Sequence, residues 1–306
     1  MNETYYDITD KNIFDNKNID SLCLSGGGTR ALLFIGAIKK LIDKNIIKLN
    51  NIKKYIGTSA GSMIAFLLTI GYNINEIEDF FMSLDFNKLE PEIDCNNIFL
   101  RYGLDDGAKL IYILNVLLKE KLNVEKITFK ELYEATNIVL IVTAVSLTET
   151  ELYYFSHETY PDMDVILALR MSGSVPFYYM PIKYKNNLFI DGAVLDNFPI
   201  QHGNKNTLGI VINYKDKAEI DDFNQYILSI CRLVMFGDLD RKIKKYKNNT
   251  IEIYCDENKN FLDFAMDSES KKDLVLKGEN QIDNIYSKYV KKIAKDIIND
   301  IISKIT

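Results

Sequence analysis

Tryptophan is absent from the 306 residues, and histidine occurs only twice, at His157 and His202. Chemistry that needs an imidazole therefore has two places to find one. Cysteine is scarce: Cys23, Cys95, Cys231 and Cys255 show no C-x-x-C spacing. With no signal-peptide pattern among the opening residues, a reducing, cytoplasmic setting is expected. No apolar run is long enough to cross a bilayer. The longest, Ala31–Ile38 and Met63–Ile70, fall well short of the roughly 20 residues a spanning helix needs, so a soluble or peripheral protein is expected. Positive charge is in deficit, 37 basic against 43 acidic residues for a formal net charge of −6, which argues against a nucleic-acid partner. The missing tryptophan, beside plentiful Asn, Ile, Lys and Tyr, reads as the imprint of an AT-rich genome rather than of function.

What is present is apolar content, 47% of the chain, enough to bury a large core as one α/β domain or one domain with a lid. The most informative stretch is Gly57-Thr58-Ser59-Ala60-Gly61. Tyr55-Ile56 runs into it as a strand and Met63–Ile70 leaves it as a helix, the setting that a G-x-S-x-G nucleophile elbow requires. The two glycines leave room around a strained turn residue, and the helix N-terminus lies beneath the Ser59 hydroxyl.

A second strand–glycine turn–helix unit precedes it: Ser21–Leu24, then Ser25-Gly26-Gly27-Gly28-Thr29-Arg30, then a helical run Ala31–Ile42. Consecutive glycines let amide N–H groups converge on an anion. A Walker loop fails because no Gly-Lys-Ser/Thr follows. Gly26, Gly28 and Ala31 satisfy a relaxed dinucleotide spacing, but the acidic residue expected about twenty positions on is missing, since Lys48–Lys54 holds only Lys, Leu, Asn and Ile. An oxyanion hole for acyl transfer is the identity favoured by the serine elbow that follows.

From Asn73 to Leu122 the pattern is mainly helical, interrupted by an irregular segment, Leu89–Asp106, that is a candidate lid or cap. Thr128-Phe129-Lys130-Glu131 is a capping box. Ile138–Val145 and Leu152–Phe155 read as strands, Met163–Met171 as a helix, and Lys183–Ile190 as a hairpin turning at Asn186-Asn187 that delivers Asp191-Gly192-Ala193. Farther on, Thr207–Ile212 and Ile251–Tyr254 are strands, and Phe223–Phe236 is a helix apolar on most faces and expected to be buried. Alternating elements predict an α/β/α sandwich, three layers with a mostly parallel central sheet, whose ligands bind beyond the carboxyl ends of the strands, where Gly26–Gly28, Ser59 and Asp191 are expected together.

Ser59 needs a base. His202 supplies the chain order Ser, Asp, His, but it lies eleven residues past Asp191, just beyond a Phe198-Pro199 turn, too short a reach to set its ring between the two side chains easily. His157, among Ser156, Glu158 and Thr159, reads as a surface residue. Asp191, followed by glycine, can face Ser59 directly.

Taken together, Gly26–Arg30, Gly57–Gly61, Asp191-Gly192-Ala193 and Asp196-Asn197-Phe198-Pro199 resemble the patatin-like phospholipases, as do Thr128–Leu132 and Ser172–Pro176 in the same order. The resemblance covers about Ser21–Gln201. It implies a patatin-like fold and a lipid acyl hydrolase, a phospholipase A, with Ser59 as nucleophile and Asp191 as base, no catalytic histidine, no metal and no cofactor. It also implies an oxyanion hole from the Gly27 and Gly28 amides, with Gly26 shaping the turn and Arg30 supporting it. Ala31 stands where the family commonly has glycine, and Asp191-Gly192-Ala193 where Asp-Gly-Gly is commoner. Phospholipid and the membrane surface are the implied partners. Residues 1–20 are expected to be an N-terminal extension, 21–215 the catalytic core with a helical cap at about 73–127, and 216–306 a helical region completing it. Leu274–Gly278 is faintly similar to the family's closing helix. The terminal helix sets Tyr286, Tyr289, Val290, Ile293, Ile297, Ile301 and Ile305 against Lys288, Lys291, Lys292 and Lys295, a face suited to docking on the protein body, on a partner subunit or on a membrane surface.

Overall fold

In the computed structural model, residues 13–16, 18–90, 95–214, 220–255 and 262–305 are described; most of the expected extension at 1–20 lies outside them. The chain begins with β1 (Ser21–Leu24), α1 (Leu32–Asp43), β2 (Lys54–Gly57), α2 (Ala60–Thr69) and α3 (Ile74–Ser83). It continues through α4 (Cys95–Arg101), β3 (Gly103–Asp105), α5 (Ala108–Leu122), α6 (Phe129–Thr136), β4 (Val139–Ser146) and β5 (Glu151–Phe155). Then come α7 (Val165–Ser172), β6 (Phe177–Tyr179), β7 (Ile182–Tyr184), β8 (Asn187–Asp191) and α8 (Ala193–Asp196). The last elements are β9 (Thr207–Tyr214), α9 (Phe223–Phe236), α10 (Leu239–Lys245), β10 (Thr250–Cys255) and α11 (Ser268–Ile305).

Helix starts follow their caps. Asn73 with Glu76 and Thr128 with Glu131 form complete capping boxes, and the Asp164 carboxylate accepts the Leu167 amide at 2.8 Å. Each such cap is worth about 1 kcal/mol. Strand positions alternate between two cores. Leu22 and Leu24 face the larger one, with α1, α2, α7 and α11, whereas Cys23, Ile56, Ile141 and Val211 face a smaller one closed by Phe198, Ile200 and Leu239. Helices therefore cover both faces of the central sheet, the sandwich expected.

Strands β10, β9, β1, β2 and β4 lie side by side in that order, all parallel. β4, eight residues long, is shared. Val139–Val142 pair with β2 in parallel, Val142–Ser146 with β5 and Ala144–Ser146 with β8, both antiparallel. Because Val142 pairs with both β2 and β5, and Ala144–Ser146 with both β5 and β8, β2 and β8 occupy the same edge of β4. They run toward each other. Gly57 ends level with Val142 and Asp191 ends level with Ala144. Asp191 thus reaches the carboxyl edge of the parallel strands from an antiparallel one, which the sequence pattern did not disclose.

Three other expectations are corrected. The Leu89–Asp106 segment is not irregular over its described part: it holds α4 and β3, and β3 pairs in parallel with β6 in a separate two-stranded sheet. The hairpin loop is Lys185-Asn186, with Lys185 at φ 52° and Asn187 already paired to Tyr184. The α9 helix is not buried. Leu228, Cys231 and Met235 face inward, while Phe223, Tyr226, Leu233 and Val234 are exposed, because an apolar stripe wider than one face leaves part of itself uncovered.

The first turns of α11 pack on α1, and Leu274, Val275 and Ile282 are buried there. The helices cross so closely that a Cβ on Gly278 would stand 2.3 Å from the Leu33 carbonyl oxygen. Tyr286 and Tyr289 still touch Phe14, but Val290, Ile293, Ile297, Ile298, Ile301 and Ile302 are exposed. Deleting residues 290–306 is expected to leave the thermal midpoint nearly unchanged. Gly278→Val, which forces the crossing apart, is expected to cost about 1–3 kcal/mol by urea titration.

Candidate active site

Ser59 sits at the junction of β2 and α2 with φ 53° and ψ −129°, a strained conformation for a residue with a side chain. Such strain costs on the order of 1–3 kcal/mol and needs support from its surroundings. The support is visible on both sides of the peptide. Its N–H donates to Ser172 Oγ at 2.8 Å, and its carbonyl accepts from Ser62 Oγ at 2.6 Å and from the Ser62 amide at 2.9 Å. Glycine is required at both ends of the elbow: a Cβ on Gly57 would meet Ser62 Cα at 2.5 Å and one on Gly61 the Ser25 carbonyl oxygen at 2.2 Å.

Across the head-on junction, Asp191 ends β8. Gly192 packs flat on Thr143 of β4, and Thr143 Oγ1 shares a hydrogen bond of 2.7 Å with Thr58 Oγ1, so one β4 residue ties both strand ends together. Asp191 Oδ1 accepts the Ala193 amide at 2.8 Å. Oδ2 is buried without a well-formed hydrogen bond. Burial pushes the Asp191 carboxyl up to about 7, against the opposing influences of the Ser59 hydroxyl, the Ala193 amide and the Arg170 guanidinium. The desolvated carboxyl therefore keeps one oxygen without a well-formed hydrogen bond near the Ser59 hydroxyl. Both side chains are nearly closed to solvent, Ser59 at 4% exposure and Asp191 at 0%.

The glycine turn closes the third side. The Gly26 amide donates to Asn197, to its Oδ1 at 2.9 Å and its backbone oxygen at 3.2 Å, so it is committed to holding the turn. The Gly27 and Gly28 amides make no hydrogen bond among the described residues, and Gly28 takes the left-handed φ of 55°. Ser25 Oγ anchors the turn to β9 by accepting the Ile212 amide at 3.1 Å. Arg30 is buried and reaches Asp263 at 3.6 Å, while Thr29 Oγ1 accepts the Asp263 amide at 3.2 Å, so the segment before α11 grips this turn. Ala31 is buried at the start of α1, its methyl accommodated where a glycine is commoner. Two amides without a partner among the described residues, beside a helix N-terminus, suit a negative oxygen.

The histidines lie elsewhere. The His202 ring lies tilted by 42° against Tyr154 with centroids 3.7 Å apart, and its carbonyl accepts from Lys54 at the far end of β2 from Ser59. Burial pushes its imidazole down, with Asp196, Lys242 and Lys54 as the charged neighbours. His157 stacks on Tyr133 at 3.9 Å. Sequence reasoning gave no role to Ser172, Asn197 or Asp263. The first two stood inside recognised landmarks, whereas nothing in the sequence pairs Asp263 with Arg30.

With this geometry in view, comparison with known proteins is decisive. The patatin-like phospholipase family model matches residues 22–202. The chain belongs to the patatin-like phospholipase family. Among curated relatives, the probable lipid hydrolase 463L of Invertebrate iridescent virus 6 is 37% identical over 207 residues, 66% of this chain and 66% of that protein, just under two thirds of its length. The uncharacterized protein R571 of Acanthamoeba polyphaga mimivirus is 29% identical over 86% of this chain and 92% of its own. Among solved structures, VipD from Legionella pneumophila superposes with a TM-score of 0.65 at 18% identity, covering 89% of this chain and 67% of VipD. ExoU of Pseudomonas aeruginosa, in its heterodimeric complex with SpcU, gives 0.52 at 16% identity, covering 89% and 52%. These two share the fold of this patatin-like chain.

The raised Asp191 pKa has a sign that can be measured. Between the ordinary value of 3.8 and about 7, the folded protein retains a proton that the unfolded chain has released, so stability falls as pH rises through that window. Asp191→Asn removes the penalty. It is expected to stabilise the fold by up to about 4 kcal/mol near pH 8 and by almost nothing near pH 3.5, as read from urea midpoints.

Proposed function

We propose that this patatin-like protein is a lipid acyl hydrolase of the phospholipase A type, acting on glycerophospholipid esters through a Ser59–Asp191 dyad. The observation that carries the reading is the meeting of a strained serine and a buried, raised-pKa carboxylate beside the free amides of Gly27 and Gly28. In the acylation step, Ser59 Oγ bonds to the ester carbonyl carbon while its proton passes to Asp191 Oδ2. The carbonyl oxygen takes the negative charge and lies against the Gly27 and Gly28 amides, each such donor being worth roughly 3 to 4 kcal/mol. As the carbonyl re-forms, the ester C–O bond breaks, and the lysolipid leaves with the proton returned from Asp191. Water then attacks the acyl-enzyme, gives its proton to Asp191, and the fatty acid departs as Ser59 is re-protonated. The chemistry asks nothing of His202.

Residues 21–215 form the catalytic core in this reading, and the region beyond 216 completes it through β10 and α11. Access to a bilayer substrate follows from the end of α11. Its exposed isoleucines, flanked by Lys288, Lys291, Lys292 and Lys295 on a protein of net charge −6, suit an anionic lipid surface.

A fluorophosphonate probe is expected to add mass to Ser59 in the wild type and not in Ser59→Ala; an unlabelled wild type would overturn the reading. Turnover of a short-chain ester is expected to rise with pH through about 7, because Asp191 accepts a proton only when ionised. His202→Ala keeps most of that turnover, and Asp191→Asn loses it by two orders of magnitude or more. Removing residues 290–306 is expected to weaken sedimentation with phosphatidylglycerol vesicles while leaving hydrolysis of the soluble ester intact. Equal sedimentation would sink the membrane role of α11.

A further inference from the structure

Arg170 is a fully buried charge within the otherwise apolar run Val165–Met171 of α7. Taking a guanidinium out of water costs several kcal/mol unless its N–H groups find partners. They do. Nε and Nη2 donate to the Asp106 carbonyl at 3.2 and 3.0 Å, Nη2 also to the Met180 carbonyl at 3.0 Å, and Nη1 to Ser174 Oγ at 2.6 Å. The plane lies over the Tyr179 ring, 4.9 Å from its centroid. None of these acceptors is a carboxylate, so the positive charge is solvated without being neutralised in direct contact.

The partners come from two places. Asp106 and Met180 flank the small β3–β6 sheet, and Gly107 closes over the guanidinium with a left-handed φ of 72°; a Cβ there would stand 1.9 Å from Arg170 Nε. Ser174 belongs to the site itself, since its carbonyl accepts the Asp191 amide at 2.9 Å. Two residues earlier, Ser172 holds the Ser59 amide. The end of α7 therefore grips the backbone of both members of the dyad while Arg170 grips the small β3–β6 sheet.

The groups facing this cluster are few. Asp105 and Asp106 approach Arg170 from β3 and the turn after it, and Tyr179 from β6. Asp191 is approached by Ser59 from the elbow and acts on the Cys231 thiol of α9. Among the described residues, Arg170 is the cation that acts on Asp191.

We propose that Arg170 is a positioning residue linking the small β3–β6 sheet to the base: its charge favours the ionised form of Asp191, and its bonds to Asp106 and Met180 make that charge depend on the seating of that sheet. The inference rests on the reading of Asp191 as the base. A carboxylate that loses a neighbouring cation becomes harder to ionise, by about one pH unit where the pair is buried but not in contact.

The test is kcat/KM against pH for a short-chain chromogenic ester with the full chain. In Arg170→Gln the acid limb is expected to move up by about one unit, with about a tenfold loss near pH 6 and recovery to within about threefold near pH 9. Arg170→Lys, which keeps a charge without the fork, is expected to hold the limb close to the wild-type position. Gly107→Ala pushes the guanidinium aside and is expected to shift the limb in the same direction, so the question stays answerable if Arg170→Gln does not fold. A folded Arg170→Gln or Gly107→Ala whose activity falls uniformly, with the acid limb in place, would mean a purely structural arginine and overturn the proposal while leaving the dyad untouched. Turnover persisting in Asp191→Asn would overturn the dyad and this inference together.

Discussion

Everything at the site depends on two strands colliding along one edge of β4. β2 arrives in parallel and stops level with Val142; β8 arrives antiparallel and stops level with Ala144. Neither can extend without displacing the other, so the chain must turn sharply out of the sheet at both ends. Those two turns are where Ser59 and Asp191 stand. Thr143 lies between the two levels and bonds to Thr58, which fixes the separation of the two side chains by the geometry of a strand rather than by the flexibility of loops.

The arrangement is costly in itself. A serine with positive φ, an aspartate without solvent and an arginine without a carboxylate partner each oppose folding. They persist because they are held by an extensive frame: capped helices on both faces, two alternating cores and a polar cluster in which Tyr154, Gln201 and Lys242 converge on Asp196 behind the elbow. The destabilised groups sit where proton transfer is proposed, and the stabilising ones sit away from it. This is the usual division between a scaffold and the site it strains.

How much of this was legible depends on range. Local signals read correctly, because a strand, a tight turn and a helix leave their marks within about fifteen residues: the elbow at Ser59, the glycine turn and the Thr128 capping box are examples. The antiparallel entry of Asp191 was hidden, since strand direction is set by the partner and not by the strand's own residues. The exposed face of α9 was hidden for a related reason: periodicity reports how wide an apolar stripe is, not how much of it the rest of the chain covers. Arg170 left a faint mark as a charge inside an apolar run. Its meaning came only from the carbonyls of Asp106 and Met180, which no spacing connects to it.

Holding the Gly26 amide on Asn197 also sets an order of assembly during synthesis. A nascent chain whose last exposed residue is Ala193 already carries the serine and the carboxylate, yet its glycine turn lacks the side chain that orients it, and β9, to which Ser25 is anchored, has not been made. The glycine turn therefore reaches its final geometry only when both later pieces have docked beside β1.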